Sequence, residues 1–243
     1  MLMSPLDGIE LPLEYPELAG RRVLVTGLTG SGALGVEIVR LLAEQRAAIV
    51  LGATEASPEI QALAEIIAPL TPDLQLFTGP FTDHDAILRF ARNAMQAPGG
   101  IDVVINVAEI GEPPAGASEA TIERMVTDTL AMPCLVSRVA ANRMRTTLSA
   151  GTIINIVVSG KQASSRARLV AGIARAALAA FTRSEAQALA VDGIHINAIA
   201  PASGIRGSEG CLSGNPDVAS LALHLASGRG SNLSGLLFEA EAG

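Results

Sequence analysis

Residues 23–36 read Val-Leu-Val-Thr-Gly-Leu-Thr-Gly-Ser-Gly-Ala-Leu-Gly-Val, and this stretch decides the fold. An apolar run, Val23 to Val25, gives way to a loop carrying Gly27, Gly30, Gly32 and Gly35, then to apolar residues at helical spacing from Val36 to Leu42. The pattern is strand, tight loop, helix. Gly30-Ser31-Gly32-Ala33-Leu34-Gly35 matches G-x-G-x-x-G where that pattern has meaning, after a strand and opening a helix. There the missing Cβ atoms let a pyrophosphate approach the backbone and the positive helix end. The same residues also make a plain strand-to-helix turn, so the rest of the chain has to decide.

Working outward, apolar runs recur at residues 48–51, 74–77, 101–107, 151–158 and 194–200, with helical patterns at about 59–68, 83–96, 118–145, 166–190 and 216–226 between them. Strands alternating with helices of this length predict βαβ units and a doubly wound α/β fold, a parallel sheet with helices on both faces. One domain, 21–243, after an N-terminal extension, 1–20, accounts for all 243 residues. The polar, Gly- and Ser-rich stretch 202–215 is expected to be a loop on the ligand side of the sheet, a short lid at best.

Composition narrows the function. Hydrophobic residues make up 49% and charged residues 17%, with a net charge of -7, which excludes disorder and argues against a nucleic-acid surface. No apolar stretch approaches the roughly 20 residues that span a bilayer, and the first 20 residues carry Asp, Glu and Pro where a signal peptide is basic and apolar. The expectation is a cytoplasmic protein with no membrane or nucleic-acid partner. Cys134 and Cys211 have no ligand-spaced neighbours, so neither a disulfide framework nor a metal site is expected. Tyr15 is the only tyrosine and precedes the first strand.

Taken together, VLVTG at 23–27, IDVVINVA at 101–108, GTIINIVVS at 151–159, ARAALAAFTRSEAQALA at 174–190 and GIHINAIAP at 193–201 resemble the short-chain dehydrogenase/reductase family, in order and over about residues 20–240. The resemblance implies a single Rossmann-like domain with a seven-stranded parallel sheet, a nicotinamide cofactor and assembly into dimers or tetramers. It also marks where the chain departs. The family spaces its first and last loop glycines as T-G-x-x-x-G-x-G, so with Gly35 last, Gly27 lies two residues too early. The second strand ends in Gly52-Ala53-Thr54, with no acid for a ribose hydroxyl and no arginine for a ribose phosphate; Glu55 reads as a solvated residue beyond it. Pro80 stands where the family binds adenine through an Asp, and N-N-A-G becomes Asn106-Val107-Ala108-Glu109, a carboxylate beside a dianionic ligand. The closing V-D-G-G is Ala240-Glu241-Ala242-Gly243.

By the same alignment, the family's catalytic Tyr, Lys and Ser fall on Ala171, Arg175 and Val158, and its Asn on Thr129, or on Asp128 if the helix is shifted by one. Alkyl groups have no proton to transfer, and a guanidinium stays charged at any working pH. Losing a cooperating catalytic set costs on the order of 10⁶ in rate. Relocated chemistry would draw on Ser159, Lys161, Ser164, Ser165, His195 or Asn197, which read more simply as loop and strand residues.

Arg175, facing an Ala-lined surface, needs a carboxylate; Glu109 or Asp128 is the expected partner, the pair filling the vacated cleft. Pro133 leaves the carbonyl of residue 129 without its helical donor, and residues 171–181 offer a small-residue face suited to the family's four-helix dimer interface. The resulting expectation has no catalytic residue, no metal and no cofactor in this chain, the glycines being vestigial. The chain would be an inactive subunit of a heterodimer or heterotetramer whose active paralogue binds NAD, on a substrate such as a hydroxyacyl-CoA of anaerobic toluene and benzylsuccinate degradation. The alternatives are a degenerate dinucleotide-binding sensor or regulator, and an atypical reductase with relocated residues.

Overall fold

In the computed structural model, which describes residues 14–29, 32–81, 83–159, 164–202 and 214–240, the quoted stretch is β1 (Arg22–Leu28) running into α1 (Ala33–Glu44). β2 (Ala48–Ala53), α2 (Pro58–Ile67), β3 (Leu74–Thr78) and α3 (His84–Ala94) complete the first half. β4 (Val103–Ile110), α4 (Glu119–Thr146), β5 (Gly151–Ser159), α5 (Ser165–Leu189), β6 (Ile194–Pro201), α6 (Asn215–Ala226) and β7 (Leu237–Ala240) form the second. The strands make one parallel sheet in the order β3-β2-β1-β4-β5-β6-β7. This is the single Rossmann-like α/β domain expected.

Short polar side chains start the helices where the backbone leaves its first N–H groups unpaired. Ser57, Asp83, Ser118 and Ser164 accept from the amides of Ile60, Ala86, Thr121 and Ala167. Alternation along each strand then divides the core. Val23, Val25, Val103, Ile105, Ile154 and Ile156 pack toward α1 and α6, whereas Leu24, Val104 and Ile153 pack toward α3, α4 and α5.

Three features depart from the sequence reading. β7 was absent from the apolar runs because it is four residues long and partly exposed. β4 continues to Ile110, so Glu109 lies within a strand, opposite Val158, rather than beyond its end. The extension is not a separate appendage over its described part: Tyr15 and Leu18 are buried in the core, and the Tyr15 ring meets His224 edge-on under the Arg229 guanidinium. Its amide donates to Gln45 Oε1 at 2.6 Å, at the C-terminal end of α1. Among the described residues, no helix is long and apolar enough to cross a membrane.

Candidate functional site

The strand order reverses between β1 and β4, and parallel sheets open a crevice at the carboxyl ends of strands at such a point. A cavity of about 470 Å3 lies there, lined by the ends of β1, β4 and β5, the first turn of α1, Asp128, Thr129 and Met132 of α4, and Gly214, Asn215 and Val218 at the start of α6. Local chemistry builds its floor. Gly27 has φ +77°, and a Cβ there would collide with the Val107 carbonyl oxygen, so only glycine lets β1 and β4 meet this closely. β1 shifts register against β2 between Thr26 and Leu28, and the Gly32 amide donates to Thr29 O at 3.1 Å. Gly32, Ala33, Leu34 and Gly35 face the cavity from the start of α1. Gly30 lies outside the described residues.

Below the floor runs a buried network that the sequence reading missed. Thr26 Oγ1 donates to Asn106 Oδ1 at 2.7 Å, and Asn106 Nδ2 donates to Asn155 Oδ1 at 2.8 Å, with Ser137 Oγ and the Pro133 carbonyl at 3.3 and 3.4 Å. Ser137 Oγ donates to Asn155 Oδ1 at 2.9 Å, while Asn155 Nδ2 is buried without a partner. The available signal was the register, since Thr26, Asn106 and Asn155 sit side by side on β1, β4 and β5.

The four positions aligned with the family's catalytic side chains separate. Thr129 and Val158 line the cavity, Thr129 turning its hydroxyl to Met125 O at 2.8 Å. Ala171 does not line it; it is 1% exposed and packs with Ile110, Val126, Val157 and Val170. Arg175 does not line it either. Its expected partners are corrected: Nη1 donates to Glu239 Oε1 of β7 at 2.9 Å, not to Glu109 or Asp128. α5 packs across β6, and Glu239 pairs with Ala200 on the next strand, so the guanidinium reaches sideways over the sheet. The cleft is therefore not filled by an ion pair. Glu109 and Asp128 both line it with exposed side chains, beside Ser159, and no Lys, Arg or His lines it among the described residues.

The other candidates are placed as follows. Asn197 is buried and satisfied, its Nδ2 donating to Leu233 O at 2.8 Å and its Oδ1 accepting from the Leu236 amide at 3.1 Å. His195 lies at the opposite end of β6, level with Thr152, and Ser164 caps α5. Ser165 lines a separate shallow hollow, and Lys161, Cys211 and residues 203–213 of the expected lid lie outside the described residues. Thr54 reaches the cavity, its amide and hydroxyl both donating to Leu28 O. Glu55 and Pro80 are exposed and off it; Phe81 lines it instead. Tyr15 is remote from it, and burial raises its phenol pKa. Burial also pushes the Cys134 thiol up to about 11. No group of His, Cys, Asp and Glu suited to a metal occurs among the described residues.

Comparison with known proteins agrees with this architecture. Residues 21–204 match the family described as short chain dehydrogenase. The cis-4-hydroxycyclohexanecarboxylate dehydrogenase of Sinomonas cyclohexanicum is 28% identical over 75% of this chain and 73% of its own. The galactitol 2-dehydrogenase of Agrobacterium fabrum is 26% identical over 76% and 70%. Among solved structures, a short chain dehydrogenase from Mycobacterium smegmatis superposes with a TM-score of 0.76 at 22% identity, covering 95% of this chain and 94% of that one, which speaks for the fold.

Proposed function

The chain belongs to the short chain dehydrogenase family, and from that premise we propose that it is a non-catalytic subunit which pairs with an active, NAD-dependent paralogue in a heterodimer or heterotetramer. One observation carries the reading: at the positions aligned with the family's proton-transfer set, Ala171 is sealed in the core and Arg175 is engaged by Glu239. Neither reaches the cleft, and the only tyrosine in the chain, Tyr15, does not line it. General acid–base catalysis needs its donor within hydrogen-bond reach of the substrate.

The surface of α5 supports association. The face expected from residues 171–181 divides: Ala171, Ala174, Leu178 and Ala179 turn inward, while Leu169, Ile173, Ala176, Ala177 and Ala180 are exposed. Leu169 and Ile173 are 54% and 41% exposed, on a helix whose neighbouring residues are small enough for close backbone approach. Apolar faces rimmed by polar groups mark interaction sites.

The family's dinucleotide fits this cleft only in part. The glycine seat and the open first turn of α1 suit a phosphate. The side chains do not suit the ligand: two carboxylates line the cavity, no cation answers them among the described residues, and Gly52-Ala53-Thr54 offers the ribose neither acid nor base. The chain is accordingly read as binding no cofactor of its own, the NAD belonging to the partner.

The test has two arms. Purified chain assayed with NAD(H) and NADP(H) against a panel of secondary alcohols and ketones is expected to show no turnover. Co-expressed with a short-chain dehydrogenase of its own genome, it is expected to co-elute and to raise that enzyme's thermal midpoint. Turnover by the chain alone would overturn the reading in favour of relocated residues. The open cavity at the start of α1 favours a second reading, a dinucleotide sensor, and micromolar NAD binding without any co-eluting enzyme would select it.

A further inference from the structure

We infer that the cleft is closed to dinucleotide by charge and not by shape, with Glu109 and Asp128 as the excluding residues. The inference rests on the family's cofactor cleft lying here, and it is independent of whether a partner subunit binds.

Shape comes first. The cavity measures about 470 Å3, within the range of small-molecule sites, roughly 300–1,000 Å3. Gly27 keeps the close β1–β4 contact, and the first turn of α1 opens on the cavity with no side-chain hydrogen bond capping it. The partial positive charge of a helix start is aimed into the space where an anion would sit. The Arg175–Glu239 pair lies elsewhere and does not plug the opening.

Charge is what has changed. Glu109 enters from β4, where β4 runs beside β5, and Asp128 enters from α4 on the same cavity. Neither has an ion pair or hydrogen bond to another described residue, and no cationic side chain among the described residues lines the space. A ligand with two phosphates would therefore bring two negative charges to a wall already carrying two. A like-charge pair held about 8 Å apart weakens binding roughly thirtyfold at an effective dielectric of 20. Both carboxylates are exposed, so screening reduces this to about tenfold each at low salt.

The experiment titrates NADH, followed by its fluorescence, into the full chain, the isosteric double variant Glu109→Gln/Asp128→Asn and the double variant Glu109→Gly/Asp128→Asn. Each is measured at about 20 mM and about 500 mM salt. The isosteric double variant is expected to bind about a hundredfold more tightly than the unaltered chain at low salt, with the gap narrowing at high salt. Glu109→Gly should add nothing beyond Glu109→Gln. Glu55→Gln removes an exposed carboxylate that does not line the cavity and should leave affinity unchanged. Tight NADH binding by the unaltered chain would overturn the inference, as would a folded isosteric variant that gains nothing. A gain seen only with Glu109→Gly would assign the exclusion to shape. Tight NADH binding by the unaltered chain would also remove the reading that this chain holds no cofactor, whereas the pairing with an active paralogue fails separately, on turnover or on the absence of co-elution.

Discussion

A double-mutant cycle on Arg175 and Glu239 tests whether the residue at the family's lysine position has become structural. Arg175 Nη1 lies 2.9 Å from Glu239 Oε1, and the two side chains are 30% and 27% exposed. A hydrogen bond to a charged group is worth about 1.5–3 kcal/mol, and a fully exposed ion pair about 0–1 kcal/mol. A pair exposed to this degree falls between, so a coupling of about 1–1.5 kcal/mol is expected. The two single variants should differ. Arg175 Nε is buried without an acceptor, so Arg175→Met removes an unsatisfied donor along with the pair, whereas Glu239→Gln leaves the guanidinium facing a neutral amide. Glu239→Gln is expected to cost about 1.5–2.5 kcal/mol and Arg175→Met about 1 kcal/mol or less. Urea unfolding followed by far-ultraviolet circular dichroism, with both singles and the double variant, gives the cycle. A coupling under about 0.5 kcal/mol, or Arg175→Met costing more than Glu239→Gln, would refute the reasoning.

Three further outcomes follow from the same structure. Leu148 closes α4 in a left-handed conformation, φ +52°, with its amide on Arg145 O and the Ser149 amide on Met144 O, and it is 95% exposed. Leu148→Gly should stabilise by about 0.5–1 kcal/mol, raising the thermal midpoint by about 1–3 °C, while Leu148→Ala, which keeps the Cβ, should not. Ser137→Ala removes a buried hydroxyl that serves both Asn106 and Asn155 and should cost about 1–3 kcal/mol by denaturant unfolding. At Asp102 burial raises the carboxyl pKa, but the side-chain and backbone hydrogen bonds of Arg22 outweigh it, and the net shift is downward. A carboxyl lower in the folded than in the unfolded chain stabilises above the unfolded pKa of about 3.9 and loses that contribution as pH falls through the folded value. Asp102→Asn should therefore lower the thermal midpoint at pH 7, with the gap to the unaltered chain closing below about pH 4.

The six helices and six of the seven strands were legible because each carries its own period, whereas the strand order came only with the structure. Leu24 between Val23 and Val25 already names two faces, and the buried run 48–53 has the unbroken apolar character of an inner parallel strand. β7 was not legible, since four residues, three of them half-exposed, leave no pattern. The glycine loop was also readable from spacing, and the four aligned positions followed from the resemblance to the family. The partner of Arg175 was not: Glu239 lies 64 residues away, and only the crossing of α5 over β6 brings them together. Asp128 as a cleft residue was half legible, because a one-residue ambiguity on a helix decides between the inner and outer face. The buried network escaped because a threonine and two asparagines in apolar strands look like three separate exceptions until the register aligns them.

That network holds the fold together beneath the cleft independently of what lines the cleft. Asn106 and Asn155 retain the family's residues within N-N-A-G and G-x-I-V-N-I-S-S, and both are fully buried, where a lost partner strands a polar group at about 1–3 kcal/mol. A few such losses approach the whole stability of a domain. Glu109 lies three residues after Asn106 on the same strand, and Val158 three after Asn155 on the next; both sit where the strands leave the core and enter the cavity. Glu109 is exposed there, while Val158 still packs one side of its isopropyl group on the core, so the strand ends tolerate either side chain at little cost to the fold. Along the end of the sheet the physical requirement on a side chain therefore changes from packing to lining the cavity.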